Sequence, residues 1–208
     1  MNYLVSARKY RPQTFSDLEG QEVTIRALQN AIRRNRISHA YLFSGPRGVG
    51  KTTMARLLAK ALNCSQGPTP EPCDRCDACR EIAHGSDLDV VEIDAASNRG
   101  IDDIRRLRES VQFAPVRNRF KVYIIDEAHQ ITNEGFNALL KTLEEPPEHV
   151  KFILATTEKQ KLPVTILSRC QQYDFRLLDL PLIVARLKKI LSIENISYGD
   201  RAIEQIAL

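Results

Sequence analysis

Five short apolar stretches recur along the 208-residue chain, and amphipathic stretches separate most of them. Each apolar stretch has the length of a buried strand, and together they cover residues 40–43, 88–93, 121–125, 150–155 and 172–175. Between them, apolar side chains repeat at the spacing of a helix over residues 54–62, 101–111 and 134–144. Strands that alternate with helices predict an α/β fold, in which helices cover both faces of a parallel sheet.

The two ends of the chain depart from this alternation. Before the first strand, the spacing of apolar residues predicts a helix that packs on the core through Val23, Ala27, Ala31 and Ile32. From residue 180 onward the pattern is helical only. We therefore expect residues 1–178 to form the α/β domain and residues 179–208 to begin a small helical lid domain that the chain end truncates.

Charge is distributed unevenly along the chain. Residues 1–60 hold eleven Lys or Arg against three Asp or Glu, a balance of +8, and the remainder holds nineteen against twenty-three, a balance of −4. A basic first part suits phosphate ligands and nucleic acid, although a solvated helix face explains Arg33, Arg34 and Arg36 equally well. No apolar stretch approaches a membrane span, and the first residues lack a signal peptide, so we expect a soluble, cytoplasmic protein with no membrane partner.

A glycine-rich loop joins the first predicted strand to the helix after it. The segment consists of Gly45, Pro46, Arg47, Gly48, Val49, Gly50, Lys51, Thr52 and Thr53. Between a strand and a helix, this pattern is a Walker A motif, in which backbone N–H groups and a helix N-terminus bind a triphosphate. We expect Lys51 to contact the β- and γ-phosphates of ATP and Thr52 to bind Mg²⁺. The competing interpretation is an ordinary turn that contains Lys-Thr by chance.

Acidic and hydroxyl side chains follow the third and fourth predicted strands. Asp126 and Glu127 end the third strand, 75 residues after Lys51, and have the form of a Walker B motif. In that motif Asp126 orients Mg²⁺ and its waters, and Glu127 accepts a proton from the attacking water or polarises it. Thr157 ends the fourth strand, where ligands bind in open α/β sheets, so it is a candidate for sensing the γ-phosphate or holding the water. The alternative is a hydroxyl that satisfies the backbone at the strand end.

The next histidine, His129, completes the sequence Asp-Glu-Ala-His, which also occurs in helicases. It carries no separate prediction, because no other helicase motif accompanies it.

Four of the five cysteines lie in one window after the Walker A helix, at Cys64, Cys73, Cys76 and Cys79. The Gly/Pro-rich spacer within this window reads as an excursion from the core, so we expect an insertion over residues 64–79. Four thiolates close a tetrahedral Zn²⁺ site and leave no position for water, which is typical of a structural site. The alternatives are four unligated surface thiols and an iron–sulfur cluster, which the same ligands can support, although nothing else in the sequence indicates redox chemistry. Cys170 has no base beside it and is predicted to be a packed thiol.

These motifs together resemble the AAA+ ATPases and, within them, the family of γ/τ subunits of the bacterial DNA polymerase III clamp loader. The resemblance covers essentially the whole chain. Besides the four cysteines, it rests on residues 10–12 (Tyr-Arg-Pro), 15–17 (Phe-Ser-Asp), 45–52, 93–97 (Ile-Asp-Ala-Ala-Ser), 126–127, 136–147 and 168–170 (Ser-Arg-Cys).

The resemblance implies a sheet with the strand order 5-1-4-3-2 and an adenine pocket lined in part by residues 7–18. It implies that Thr157 is the sensor 1 residue and that Arg169 is a finger acting on the nucleotide of a neighbouring subunit. The related δ′ subunits carry the cysteine module but usually an impaired phosphate loop, so the intact Lys51-Thr52 favours γ/τ. The family's sensor 2 arginine and collar domain would lie beyond Leu208, so we expect this fragment to bind nucleotide without being a self-sufficient ATPase.

The implied function is that of an ATP-binding and ATP-hydrolysing subunit that loads a sliding clamp onto primed DNA. The implied cofactors are ATP, Mg²⁺ and Zn²⁺, and the implied partners are δ, δ′ and further γ/τ subunits, the clamp, and primer–template DNA. Arg99 and Lys141, near helix ends, are candidates for contact with DNA phosphates, and a solvated surface role explains them equally well.

Two other functions are weighed against this one. An initiator or helicase-loader ATPase of the same superfamily is disfavoured by the cysteine module and by the helix end at Pro146-Pro147. A zinc-stapled scaffold that holds nucleotide without turnover is disfavoured by Glu127 and Arg169.

Overall fold

The structure, a computed structural model, describes residues 9–98 and 100–207. All five predicted strands are present, with ends that differ from the prediction by at most two residues. They are β1 (Ala40–Ser44), β2 (Val90–Asp94), β3 (Lys121–Asp126), β4 (Val150–Thr156) and β5 (Gln171–Asp174). The helices are α1 (Glu22–Arg33), α2 (Lys51–Asn63), α3 (Asp77–His84), α4 (Ile101–Val111), α5 (Asn133–Glu144), α6 (Val164–Leu167), α7 (Leu180–Ile193) and α8 (Asp200–Ala207).

The strands form one parallel sheet in the order β2-β3-β4-β1-β5, which is the expected order read from its other edge. Ser44 at the end of β1 is in register with Thr156 at the end of β4, and Asp94 is in register with Asp126. Because the strands are parallel, their carboxyl ends meet at one edge of the sheet. The α/β fold class is therefore confirmed, and the polar strand ends lie together.

Two layers of apolar side chains cover the sheet. On one face, Leu28 of α1 and Met54 and Leu58 of α2 share a buried cluster with strand residues. On the other face, α4 and α5 pack through a second cluster that includes Ile104 and Leu139. Burial on both faces explains why the central strands are continuous apolar runs without alternation.

The predicted core face of α1 is confirmed at Ile32 but wrong at Val23 and Ala27, and Ala31 is half-buried. Val23 is 84% exposed, and Ala27 is also exposed, whereas Thr24, Leu28 and Ile32 are buried. Adjacent positions on a helix point about 100° apart, so a shift of one residue exchanges the buried row for an exposed one. The rotation is fixed by tertiary contact: the buried Gln21, directly before the helix, donates its amide to the carbonyl of Arg176 at 2.7 Å.

The last cysteines of the predicted insertion lead into α3. Cys76 is the N-cap of this helix, and its sulfur accepts the N–H of Cys79 at 3.5 Å. The helix buries Cys79 and Ile82 and ends at Gly85, whose φ of 73° suits a glycine. The predicted excursion over residues 64–79 therefore continues into a helix that packs against α2.

After β5, the residues that the structure describes form only the helices α7 and α8, as the pattern predicts. Of their side chains, Ile203 is buried, whereas Ile193 and Ile206 are more than half exposed. Lys188 and Asp200 join the two helices through an ion pair of 2.7 Å. None of the helices in the described part of the chain is long and apolar enough to cross a membrane.

A buried carboxylate organises the loop before β3. Asp89 is 1% exposed, and its two oxygens accept the backbone N–H groups of Val116, Arg117 and Asn118 at 2.6, 2.9 and 2.8 Å. Burial opposes ionisation of this carboxyl, but the three backbone hydrogen bonds outweigh it and hold its pKa below the usual value.

We expect Asp89→Asn to lower the free energy of unfolding by about 2–3 kcal/mol at neutral pH, because an amide has a single acceptor oxygen for these three donors. Since the folded pKa is depressed, the contribution is fully present above the unfolded pKa of about 3.9 and is lost as the pH falls through the folded pKa. Urea unfolding of both proteins between pH 7 and pH 3 measures this.

The matched control is Asp102→Asn, which removes an exposed carboxylate that pairs with Arg105 at 3.1 Å within α4. Such surface pairs contribute about 0–1 kcal/mol, so this variant should unfold close to the unmodified chain. If Asp89→Asn matches the control at pH 7, the carboxylate does not organise the loop.

Candidate functional site

The glycine-rich segment forms the connection between β1 and α2 at the carboxyl edge of the sheet. Gly50 is the N-cap of α2 with φ of 98°, a left-handed conformation that a side chain would strain. Gly45 lies against the chain after β5: a Cβ placed on it would stand 2.5 Å from the carbonyl oxygen of Phe175. Both positions therefore require glycine, Gly45 because of the close approach of Phe175 and Gly50 because of its left-handed backbone. The loop between them leads into the N-terminus of α2.

Lys51 is the first residue of α2 and lies beneath the loop. It is 6% exposed, and its Nζ donates to the carbonyl oxygens of Gly45 and Pro46 at 2.8 and 2.7 Å. Burial lowers the pKa of this ammonium, and the nearby carboxylates of Glu127 and Asp126 partly offset that effect. A buried, centrally placed ammonium held by weak acceptors is suited to a polyanionic ligand.

The Walker A and Walker B segments meet through one hydrogen bond. The hydroxyl of Thr52 donates to Oδ2 of Asp126 at 2.7 Å, which joins α2 to the end of β3. The other carboxylate oxygen, Oδ1, accepts the N–H of Glu127 at 2.9 Å. Hydroxyl and carboxylate oxygens are the ligands that Mg²⁺ prefers, directly or through water, so the donor set fits this ion together with phosphate oxygens.

The predicted residues Glu127 and Thr157 lie in contact. Oγ1 of Thr157 donates to Oε2 of Glu127 at 3.0 Å, across the ends of β3 and β4. Glu127 has a left-handed backbone, with φ of 47° and ψ of 45°, which is uncommon for a residue other than glycine, asparagine or aspartate. Strained backbone of this kind is concentrated at functional sites. The fold thus places both side chains beside the phosphate loop.

His129 belongs to this group, although no separate prediction was made for it. Its side chain is 5% exposed, with Nδ1 3.1 Å from the hydroxyl of Thr156 and 3.4 Å from Oε2 of Glu127. In the sequence, its position two residues after Glu127 was the one indication of a role. That position predicts a contact with Glu127 only when the turn that folds the ring back is known.

Arg169, the predicted finger, is remote from these contacts in this chain. Its guanidinium pairs with Glu144 at the end of α5 and donates to the carbonyl of Thr165 at 2.6 Å. The side chain is 30% exposed, so it is on the surface of the subunit. The neighbouring Cys170 is buried, which raises the pKa of its thiol to about 12, and it is a packed thiol as predicted.

The four clustered cysteines converge on one point. Their Sγ atoms all lie within 4.8 Å of one another, and tetrahedral zinc with Zn–S bonds of about 2.3 Å requires separations of about 3.8 Å. Backbone N–H groups of Arg75 and Cys76 lower the pKa of Cys73 to about 6, which favours its thiolate. Cys64, Cys73, Cys76 and Cys79 therefore fit a metal that takes four sulfur ligands.

A buried lysine connects this cluster to the phosphate-loop helix. Lys60 of α2 is 1% exposed; it pairs with Asp74, inside the Cys73–Cys76 turn, and donates to the carbonyl of Gln13 at 2.6 Å. This one ammonium thus links the cysteine insertion both to α2 and to the entry segment.

The entry segment lies between the phosphate loop and α7. Leu18 is buried beside Gly50, and Tyr10 donates its hydroxyl to Glu194 at 2.6 Å. This placement suits the predicted adenine pocket over residues 7–18, of which 7 and 8 lie outside the described residues. Of the candidate DNA contacts, Lys141 is exposed on α5, and Arg99 lies outside the described residues.

A family model and individual proteins that match this chain are described as subunits of DNA polymerase III. A family model described as "DNA polymerase III, delta subunit" matches residues 20–179. The tau subunit of DNA polymerase III from Escherichia coli K12 is 58% identical over 207 residues, covering 100% of this chain and 32% of that protein. The corresponding subunit from Bacillus subtilis is 54% identical, covering 100% of this chain and 37% of that protein.

Solved structures support the fold. The RuvB Holliday junction branch migration motor of Thermotoga maritima has a TM-score of 0.66 at 21% identity, covering 95% of this chain and 59% of that chain. RuvB has the AAA+ fold, so the likeness confirms that fold here. The chain spans about a third of the length of the E. coli and B. subtilis tau subunits. The family model assigns the chain to DNA polymerase III subunits, and with 54–58% identity to two tau subunits over its whole length, the chain belongs to the DNA polymerase III gamma/tau family.

Proposed function

We propose that this chain is the nucleotide-binding part of a subunit that binds and hydrolyses ATP. The observation that carries the proposal is the convergence of Lys51, Thr52, Asp126, Glu127 and Thr157 at one edge of the sheet. These side chains supply a cation for the phosphates, oxygen ligands for Mg²⁺, a proton acceptor for water and a hydroxyl beside it. Bound Mg²⁺ would neutralise charge on the phosphates.

The subunit as a whole is proposed to load a sliding clamp onto primed DNA, in the cytoplasm, together with δ, δ′ and further γ/τ subunits. The support is membership of the gamma/tau family, with 54–58% identity to the E. coli and B. subtilis tau subunits.

We also propose that the α/β domain ends near residue 178 and that α7 and α8 begin a helical lid. In support, Arg186 of α7 donates to the carbonyl of Tyr10 in the entry segment at 3.1 Å.

The direct test uses the full-length protein assembled with its candidate partner subunits. ATP turnover is measured with and without the clamp and primed DNA, and clamp retention on circular DNA is followed in the same samples. The proposal expects turnover that the clamp and primed DNA stimulate, and ATP-dependent retention of the clamp. Nucleotide binding without turnover in the complete assembly would instead support the scaffold function.

The four-cysteine cluster is proposed to hold one structural Zn²⁺ per chain. We expect metal analysis of freshly purified protein to give one zinc and no iron, because the ligand set is closed and no redox partner lies beside it in the described part of the chain. Cys76→Ser should lower the zinc content several-fold and destabilise the insertion, because the variant loses a thiolate ligand.

Cys170→Ser is the matched control, since this buried thiol lies outside the cluster and should leave the zinc content at one. Iron with visible charge-transfer absorption would assign the cluster to iron–sulfur chemistry. Zinc that persists at full content in Cys76→Ser would remove Cys76 from the ligand set.

A further inference from the structure

The ring of His129 lies between two glutamates at the carboxyl edge of the sheet. Nδ1 is 3.4 Å from Oε2 of Glu127, and Nε2 is 3.2 Å from Oε1 of Glu158. The ring itself is nearly inaccessible to solvent. A buried imidazole is costly unless its nitrogens are hydrogen-bonded, and here both ring nitrogens have polar partners.

The turn after β3 directs the ring toward Glu127. Glu127 has the left-handed backbone described above, and its carbonyl accepts the N–H of Gln130 at 2.8 Å. This tight 3₁₀ turn, which spans Ala128–Gln130, folds the side chain of His129 back over the end of β4. Backbone strain at Glu127 and burial of His129 are thus two consequences of one local geometry.

The far side of the ring is fixed by groups that lie outside the nucleotide site. Glu158 is held by the ammonium of Lys161 at 2.8 Å, and its N–H donates to the hydroxyl of Thr156 at 3.1 Å. Hydrogen bonding to Lys161 lowers the pKa of the Glu158 carboxyl, so this residue is a carboxylate at neutral pH. The side-chain amide of Gln130 also lies 3.0 Å from Nε2.

We propose that His129 is a positioning residue that, together with Thr157, holds the carboxylate of Glu127 in the orientation that accepts a proton from the attacking water. Two protonation states of the ring put a proton on Nδ1: the neutral form in which Gln130 donates to Nε2, and the charged form in which Nε2 donates to Glu158. In both, the N–H at Nδ1 lies 3.1 Å from the hydroxyl of Thr156 and 3.4 Å from Oε2 of Glu127. The proposal rests on the ATPase function proposed above.

Loss of the ring would remove the 3.4 Å contact to Oε2 of Glu127 and leave that carboxylate with the hydrogen bond from Thr157. The carboxylate would then sample other rotamers, and misplacement of a general base by about 1 Å can reduce a rate by about 100-fold. Nucleotide binding would change little, because Lys51 and Thr52, the residues proposed to bind phosphate and Mg²⁺, hydrogen-bond to loop carbonyls and to Asp126 and not to His129.

The experiment uses the full-length protein in its complete assembly and compares His129→Ala, His129→Asn and His129→Gln. An Asn amide nitrogen occupies the place of Nδ1, whereas a Gln amide nitrogen reaches the place of Nε2. We expect His129→Ala to lower kcat for ATP hydrolysis about 10- to 100-fold with KM within about 2-fold, His129→Asn to recover most of the rate, and His129→Gln to recover little.

A double variant tests whether the effect passes through Glu127. In the Glu127→Gln background, adding His129→Ala should cause no further loss, because the carboxylate that His129 orients is already gone. Equal losses in both backgrounds, or rescue by Gln in place of Asn, would show a structural role and overturn the proposal. Thermal unfolding of each variant identifies any loss that comes from unfolding. If the unmodified assembly hydrolyses no ATP, the proposed function is wrong. If the unmodified assembly hydrolyses ATP and His129→Ala retains full kcat, the proposed function stands and the role of His129 is wrong.

Discussion

Mixing two inactive variants is expected to restore ATP hydrolysis in the full-length assembly. Lys51→Ala removes the phosphate cation but leaves Arg169 intact, and Arg169→Ala has the opposite defect. If Arg169 acts on the nucleotide of the adjacent subunit, some interfaces in a mixed assembly combine an intact loop with an intact finger. Arginine fingers contribute about 10³–10⁵ in rate, so recovery should stand far above the activity of either variant alone.

The position of Arg169 agrees with a role outside its own subunit. Within the chain, its guanidinium contacts Glu144 and Thr165 and none of the predicted nucleotide ligands. The alternative is that this arginine only pairs with a surface carboxylate, in which case Arg169→Ala would be nearly silent, since such pairs contribute about 0–1 kcal/mol.

Glu144→Gln separates the two interpretations. It breaks the same ion pair while keeping the guanidinium, so it should retain most of the activity if Arg169 is a finger. Arg105→Ala, which removes an exposed arginine paired within α4, controls for loss of charge. Sizing must show that the mixed assemblies form. If mixed assemblies of normal size stay inactive, Arg169 does not act on the neighbouring subunit, and its role is the surface ion pair with Glu144.

Much of this fold could be predicted because its main signals are local. Buried parallel strands are continuous apolar runs, and Gly-Pro or Pro-Pro sequences mark where they and the helices end. The sequence motifs assigned Thr52 and Asp126 to the same Mg²⁺ ion, and the hydrogen bond between the two side chains became visible only in the structure. The strand order came from the resemblance to the AAA+ family, because crossovers between strands leave no local trace.

The parts that could not be predicted depend on contacts between distant residues. The rotation of α1 is fixed by Gln21 and Arg176, which are 155 residues apart. The role of Asp89 depends on a loop nearly thirty residues later, and the burial of His129 depends on the end of β4. Residue pattern carries no information about such pairs, so these features appear only when the chain is folded.

The second large effect concerns the two steps of the proposed reaction. We expect Lys51→Ala to weaken ATP binding about 10- to 100-fold, because it removes the charged donor beneath the loop. Glu127→Gln should leave binding within about 2-fold and slow hydrolysis about 10²–10⁴-fold, because an amide is too weak a base to accept a proton from water. Titration with a fluorescent ATP analogue measures binding, and phosphate release by the full-length assembly measures hydrolysis.

The contrast between these variants matters more than either result alone. Gln keeps the shape of Glu127 and can still accept the hydrogen bond that Thr157 donates, so its effect isolates the basic oxygen. Arg34→Ala removes an exposed positive charge just after α1 and should leave both binding and hydrolysis unchanged. Equal loss of binding in Lys51→Ala and Glu127→Gln would mean that Glu127 supports the fold of the site, and the proton acceptor would have to be sought among the other groups near the γ-phosphate position.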